Sequence, residues 1–331
     1  MSTQRPLAGD VPDCDPGDLV PSVSVLVPVF NGEITIAAAI ESALSQSFTD
    51  VEVVVVDDGS TDATPAVLAH FDSDQRVRIH RHDSNCGLVA SLATGLALCR
   101  GSLVARLDAD DVALPGRLER QVSVFNANPE VVLCATAYER VNEEGVLGHR
   151  PIPPLTHGAL AMAMAAGNQL CHSSVMFRRS VVEELGGYDA TWFPVEDYDL
   201  WLRLLERGLY VGLAEPGVRF LENPVGISAV GARVQAEMLA TRSAHYRLAI
   251  AGTRKAARGV AGRVRNLEHF RRALTIRLEH AGVARVGVDS TAYRMAFDET
   301  FGLPRVVRHL IVGAVAPMLW LKVAFKPRRS G

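Results

Sequence analysis

A chain of 331 residues that is 48% hydrophobic and 21% charged can bury one large core or two ordinary ones, which excludes a disordered or fibrous protein. Its net charge of −3 hides a split: residues 1–228 carry 15 Lys and Arg against 31 Asp and Glu, and residues 229–331 carry 19 against 6. An acidic front joined to a basic tail asks for different partners at its two ends, the tail facing something anionic.

Residues 1–21 are rich in Pro, Asp and Gly, lack the apolar run of a signal peptide, and read as a disordered leader. From Val23, VSVLVPVF is a continuous apolar and β-branched run, as a strand buried on both faces requires, and NGEITIAAAIESALSQSF follows at helical spacing. VEVVVVDDGSTDAT predicts a second buried strand that stops at Asp57 and Asp58, with Thr61 or Asp62 placed to cap a helix running through Leu68. A short strand at Val77–His80, a helix at Leu88–Cys99 and a strand in SLVARLD complete the alternation. Strands alternating with helices predict a Rossmann-like, mostly parallel sheet flanked by helices. In WFPVEDYDLWLRL, Val195, Leu200, Leu204 and Leu205 follow Pro194 at helical spacing. Glu196 and Asp197 therefore fall in a first turn, where the helix dipole favours anions.

In open α/β sheets ligands bind beyond the carboxyl ends of strands, where both Asp57/Asp58 and Asp108/Asp110/Asp111 are expected. No GxGxxG follows the first strand and no GxxxxGK[ST] occurs, so bound phosphates would need a metal. Carboxylates on a short loop suit Mg²⁺ or Mn²⁺. The competing reading makes DADD a solvated turn and the N-cap of a helix in VALPGRLERQV.

Three stretches decide between these readings. VSVLVPVFNGEITIAAAIESALSQSFTDVEVVVVDDGSTDAT, NCGLVASLATGLALCRGSLVARLDADDVALPGRL and HSSVMFRRSVVEELGGYDATWFPVEDYDLWLRL together resemble the family 2 glycosyltransferases, from about residue 22 to 228. The resemblance implies a GT-A fold with a C-terminal helical extension, and transfer of a sugar from a UDP-, dTDP- or GDP-linked donor to a glycan or lipid-linked acceptor. It places Pro28, Phe30, Asp57 and Asp58 around the nucleoside and Arg106 and Asp108 beside the nucleotide. It makes Asp110 the metal ligand, Asp197 the general base with Glu196 supporting it, and sets His172 and Trp192 on the acceptor side. A single base opposite the leaving group implies inversion at the anomeric carbon. Two departures stand out: Asn223 where many relatives carry a His that can reach the metal, and Ala93 where an Asn is common. A nucleotidyltransferase would carry a Lys or Arg loop after the first strand, which VPVFNGE lacks; a silent sugar-binding scaffold would be expected to lose acids that are intact here.

Residues 232–282, rich in Arg, predict two or three amphipathic helices. The uncharged Leu310–Leu321, flanked by Arg305, Arg308, Lys322, Lys326, Arg328 and Arg329, falls short of the ~20 residues a membrane span needs. It suits an interfacial helix on an anionic membrane surface or a contact between two copies. Nucleic acid is disfavoured because no aromatics are interleaved with the Arg clusters. Cys14, Cys86, Cys99, Cys134 and Cys171, odd in number and widely spaced, predict reduced thiols and a cytoplasmic protein, peripheral to the membrane at most.

Overall fold

The computed structural model describes residues 20–142, 145, 147–222 and 233–246; the expectations for the leader, for Asn223 and for residues 247–331 lie outside them. In chain order the strands are β1 (Val23–Val29), β2 (Val51–Asp57), β3 (Val77–Arg81), β4 (Leu103–Arg106), β5 (Val112–Ala113), β6 (Val131–Val141), β7 (Val175–Arg178) and β8 (Leu209–Leu221). The helices are α1 (Ile36–Leu44), α2 (Thr64–Leu68), α3 (Leu88–Leu98), α4 (Arg117–Ala127), α5 (His157–Ala163), α6 (Arg179–Glu184), α7 (Glu196–Leu205) and α8 (233–246). The strands form one sheet in the order β3-β2-β1-β4-β7-β6-β8-β5, parallel except for β7 and β5. Sheet and flanking helices bear out the expected α/β class.

All seven positions of β1 and of β2 are buried because both faces are covered. Alternation divides them: Leu26, Val54 and Val56 pack toward Leu92 and Leu96 of α3 on one face. Val25, Val27, Val53 and Val55 pack toward Ile36 and Ile40 of α1 on the other. β1 stays paired with β2 up to Val29↔Asp57, but its pairing with β4 ends at Leu26↔Arg106. That divergence opens the crevice, and it explains how Pro28, with no N–H to give, sits in a central strand.

Two local expectations change. Ala63, not Thr61 or Asp62, occupies the cap position of α2, although Asp62 Oδ1 accepts the Thr64 N–H at 2.9 Å. Nor does Asp111 cap a helix: β5 follows it and α4 begins only after Gly116. No helix among the described residues is long and apolar enough to cross a membrane. The four described cysteines are free thiols.

Candidate active site

Two loops after β1 and β2 are laced together at the carboxyl end of the sheet. Asn31, at φ 53°, gives its N–H to Ser60 Oγ at 2.9 Å and accepts the Thr61 N–H on Oδ1 at 2.8 Å. Asp57 accepts the Ser60 N–H at 2.9 Å and pairs with Arg81 at 3.4 Å. Asp58 is nearly buried; Oδ1 meets His82 Nδ1 at 2.8 Å and the Cys86 N–H at 2.9 Å, and Oδ2 accepts the Gly87 N–H at 2.8 Å. Burial pushes its pKa up, but these bonds outweigh burial and hold it below the usual value. Three donors leave this carboxylate about one acceptor position for a ligand. Phe30, 46% exposed, stands at the mouth of the same crevice, whereas Pro28 is buried in β1.

At the tip of β4, the Arg106 guanidinium is wholly buried and pairs with Asp108 at 2.5 Å. Ser173 ties the same aspartate down twice, accepting its N–H at 2.9 Å and donating to Oδ2 at 2.8 Å. Burial raises the Asp108 pKa, yet the Arg106 charge and the Ser173 bond hold it low. Asp111 differs: it is buried, Oδ1 accepts the Leu221 N–H at 3.0 Å, and Oδ2 has no hydrogen-bond partner. Burial and the charges of Asp108 and Asp110 push it well up. Asp111 thus ties β8 to the acidic loop, and Asp108 and Asp110 are its half-buried members.

That concentration of negative charge, with a buried carboxylate oxygen left over, fits a hard divalent cation. Among the described residues, the only trio whose donor atoms lie within 4.8 Å of one another is Asp58, His82 and Cys86. The acidic loop therefore offers one or two carboxylates rather than a closed cage, which is how Mg²⁺ and Mn²⁺ are held when phosphate oxygens complete the shell.

The two acids of α7 open the helix as predicted. Asp197 Oδ2 accepts from Asn168 Nδ2 at 2.7 Å and Oδ1 accepts the Tyr198 N–H at 2.6 Å. Glu196 is 4% exposed, and Oε2 has no hydrogen-bond partner. Burial, then the Asp197 charge, raises Glu196 to about 7. Burial raises Asp197 to about 6, with the Tyr198 and Asn168 bonds opposing it and the Asp108 charge adding to it. The α7 acids and the acidic loop are thus near enough to feel each other's charge. Burial and the Arg106 charge push His172 down to about 3, which keeps it neutral. It bonds Tyr188 Oη at 2.9 Å and meets Trp201 edge-on. Trp192 lies half-buried between Arg242 and His245. Asn168 also lines an open cavity of about 370 Å³ with Thr136, Tyr138, Ile152, Gln169 and Cys171.

Sequence reasoning missed Asn168, which lies outside the three stretches, and gave Ser173, Tyr188 and Arg117, which lie within them, no role. Arg117 is fully buried and donates to the carbonyls of Arg106 at 2.8 Å and Val175 at 3.1 Å, stapling β4 to β7 beneath the acidic loop.

A mostly parallel sheet with acids at two strand tips and a carboxylate pair opening a nearby helix defines the class: a GT-A-type glycosyltransferase. The model of Glycosyl transferase family 2 matches residues 24–186. EpsE of Bacillus subtilis (strain 168) is 36% identical over 57% of this chain and 68% of its own length. The amylovoran biosynthesis glycosyltransferase AmsE of Erwinia amylovora is 32% identical over 56% and 70%, and the O-antigen biosynthesis glycosyltransferase WbnJ of Escherichia coli 31% over 55% and 71%. Two solved structures share the fold: S. aureus TarS 1–349 in complex with UDP-GlcNAc (TM-score 0.52, 18% identity, 61% of this chain and 59% of that one) and the mannosyltransferase PcManGT from Pyrobaculum calidifontis in complex with GDP-Man and Mn²⁺ (TM-score 0.50, 19% identity, 80% and 87%). The chain belongs to glycosyltransferase family 2.

Proposed function

We propose that the protein transfers a sugar from a nucleoside-diphosphate donor to an acceptor hydroxyl with inversion, in the synthesis of a cell-surface polysaccharide or glycolipid. The observation that carries this reading is the pairing of two adjacent carboxylates, Glu196 and Asp197, opening α7 with an aspartate, Asp108, held by Arg106 and Ser173 at the tip of β4. Asp58 and Phe30 receive the nucleoside, and the diphosphate lies against the acidic loop, where Asp110, aided by Asp108, would hold Mg²⁺ or Mn²⁺. Such an ion supplies positive charge where the leaving phosphate becomes more negative.

Asp197 accepts the acceptor's proton. Its two hydrogen bonds fix its carboxylate, and a pKa near 6 makes it a better base than an ordinary aspartate while leaving it ionised at neutral pH. Glu196 contacts the acceptor beside it. The cavity at Asn168, with Tyr138 and Gln169 on its wall, receives a sugar ring. The neighbours' ligands and the relatives' names support this reading, since PcManGT holds GDP-Man and Mn²⁺, TarS holds UDP-GlcNAc, and AmsE and WbnJ serve polysaccharide and O-antigen synthesis.

Hydrolysis of a panel of UDP-, dTDP- and GDP-sugars, with and without Mn²⁺, tests it. One donor class should be turned over, and Asp197→Asn should slow turnover roughly 100-fold or more while the donor still binds. Glu196→Gln dead with Asp197→Asn active would reverse the two roles.

A further inference from the structure

α8 begins after the last strand of the sheet, yet its buried stripe is aimed at one place. Gln235, Met238, Leu239, Arg242, Ser243 and Tyr246 recur at helical spacing and, with Ala244, are the covered positions, while 233, 234, 236, 237, 240, 241 and 245 are exposed. Tyr246 anchors the helix, its ring buried and its hydroxyl 3.3 Å from the Ala161 carbonyl. The other contacts fall on residues that flank Asp197. Leu239 packs against Gly167, the neighbour of Asn168. Gln235 Nε2 donates to the Pro194 carbonyl at 3.3 Å. Arg242 Nε donates to Asp199 Oδ1 at 2.6 Å, and its guanidinium lies 5.1 Å from the centre of the Trp192 ring, which His245 meets edge-on at 5.7 Å.

We infer that Arg242 is a positioning residue for acceptor engagement: it locks the Ala190–Pro194 segment onto α7, which makes α8 part of the transfer machinery. This rests on the function proposed above. Asp197 and Asp199 are two positions apart, about 200° around the helix, so Arg242 grips α7 on the face turned away from the base. Asp199 is only 3% exposed and is also paired with Arg203 at 2.7 Å; Arg203 in turn donates to the carbonyls of Leu185 and Gly187. Losing Arg242 therefore strands no charge and leaves α7 held by Arg203. What it removes is the cation over Trp192, and with it the restraint on the acceptor-side Ala190–Pro194 segment, while Asp197 stays fixed by Asn168 and the Tyr198 N–H.

The test uses the full-length chain, the nucleotide sugar it hydrolyses, and p-nitrophenyl glycosides as acceptors. Arg242→Met should lower kcat/KM for the acceptor about 10-fold or more, as a displaced positioning group does, with donor hydrolysis and nucleotide affinity within about twofold of wild type. Arg242→Lys, which keeps the charge near Asp199 and Trp192, should recover most of the loss. Parallel falls in hydrolysis and transfer, or no change in either, would overturn the inference, because glue for the fold cannot tell water from a glycoside. A wild-type protein that turns over no donor of the panel would sink the functional reading itself, and this inference with it.

Discussion

Glu196 and Asp197 are adjacent carboxylates that folding withdraws from water, and each is held above its ordinary pKa, to about 7 and about 6. For catalysis the sign is simple: a base must be ionised, so the rate should rise from low pH with a midpoint near 6 and level off above it. A profile flat down to pH 4.5 would remove Asp197 from that role. For stability the sign is opposite to that of a salt-bridged acid. A carboxylate whose folded pKa is raised contributes stability that is complete below its unfolded pKa and is lost as pH rises through the folded one. Glu196 moves from 4.5 to about 7, so its ionisation opposes folding by something on the order of 3 kcal/mol at pH 8. Glu196→Gln should therefore raise Tm at pH 8, with the gain shrinking toward nothing near pH 4.5, as differential scanning fluorimetry across pH would read. At the acidic loop, Asp110→Ala should abolish transfer and weaken Mn²⁺ binding by the nucleotide-loaded protein in calorimetry while leaving Tm nearly unchanged. Full activity in excess chelator would defeat the metal reading.

At the scale of elements, the nucleoside side depends on one turn. Gly59, two residues beyond β2, adopts φ +70°, and a Cβ built on it would lie 2.6 Å from the backbone carbon of Ser84. That contact sets the loop whose Cys86 and Gly87 N–H groups hold Asp58. Gly59→Ala should cost about 1–3 kcal/mol through backbone strain and raise the donor KM more than it lowers kcat. Equal stability and unchanged KM would show that the loop shifts without consequence. The elements that build this turn were legible because local rules govern them: buried parallel strands read as apolar runs, and acids at their ends have no packing motive. β5 to β8 were not read, because β6 pairs with β8 far along the chain, with register shifts near Val131 and at Thr136–Tyr138, and no short-range periodicity encodes such a partner. Asn168 stayed invisible for a related reason: an amide on a loop gains its meaning from the carboxylate that folding brings to it. Arg106 illustrates the reverse, since a residue expected beside the nucleotide is buried entirely beneath Asp108.

At the scale of the molecule, the charge split from sequence placed a boundary near residue 228, and the basic amphipathic pattern beyond it was legible, but what it covers was not. Arg at a buried helical position looks like solvent-facing charge until an aspartate is found opposite it. α8 belongs to the same compact unit as the sheet. Three lengths of chain therefore separate three roles. Ending the protein at 228 removes the cover over Trp192 and the Gly167–Asn168 loop, and should give a destabilised protein that transfers poorly to any acceptor. Ending it at 256 should keep Tm and donor hydrolysis near those of the full chain. Removing only 303–331 should leave both intact and abolish binding to anionic vesicles, since about 1 kcal/mol per Lys or Arg near such a surface makes six flanking cations a sufficient reversible anchor. Co-sedimentation at rising salt reads the last step. Vesicle binding that survives loss of 303–331, or that the full chain never shows, would assign the basic tail to folding or assembly, and an acceptor presented at the membrane would lose its support.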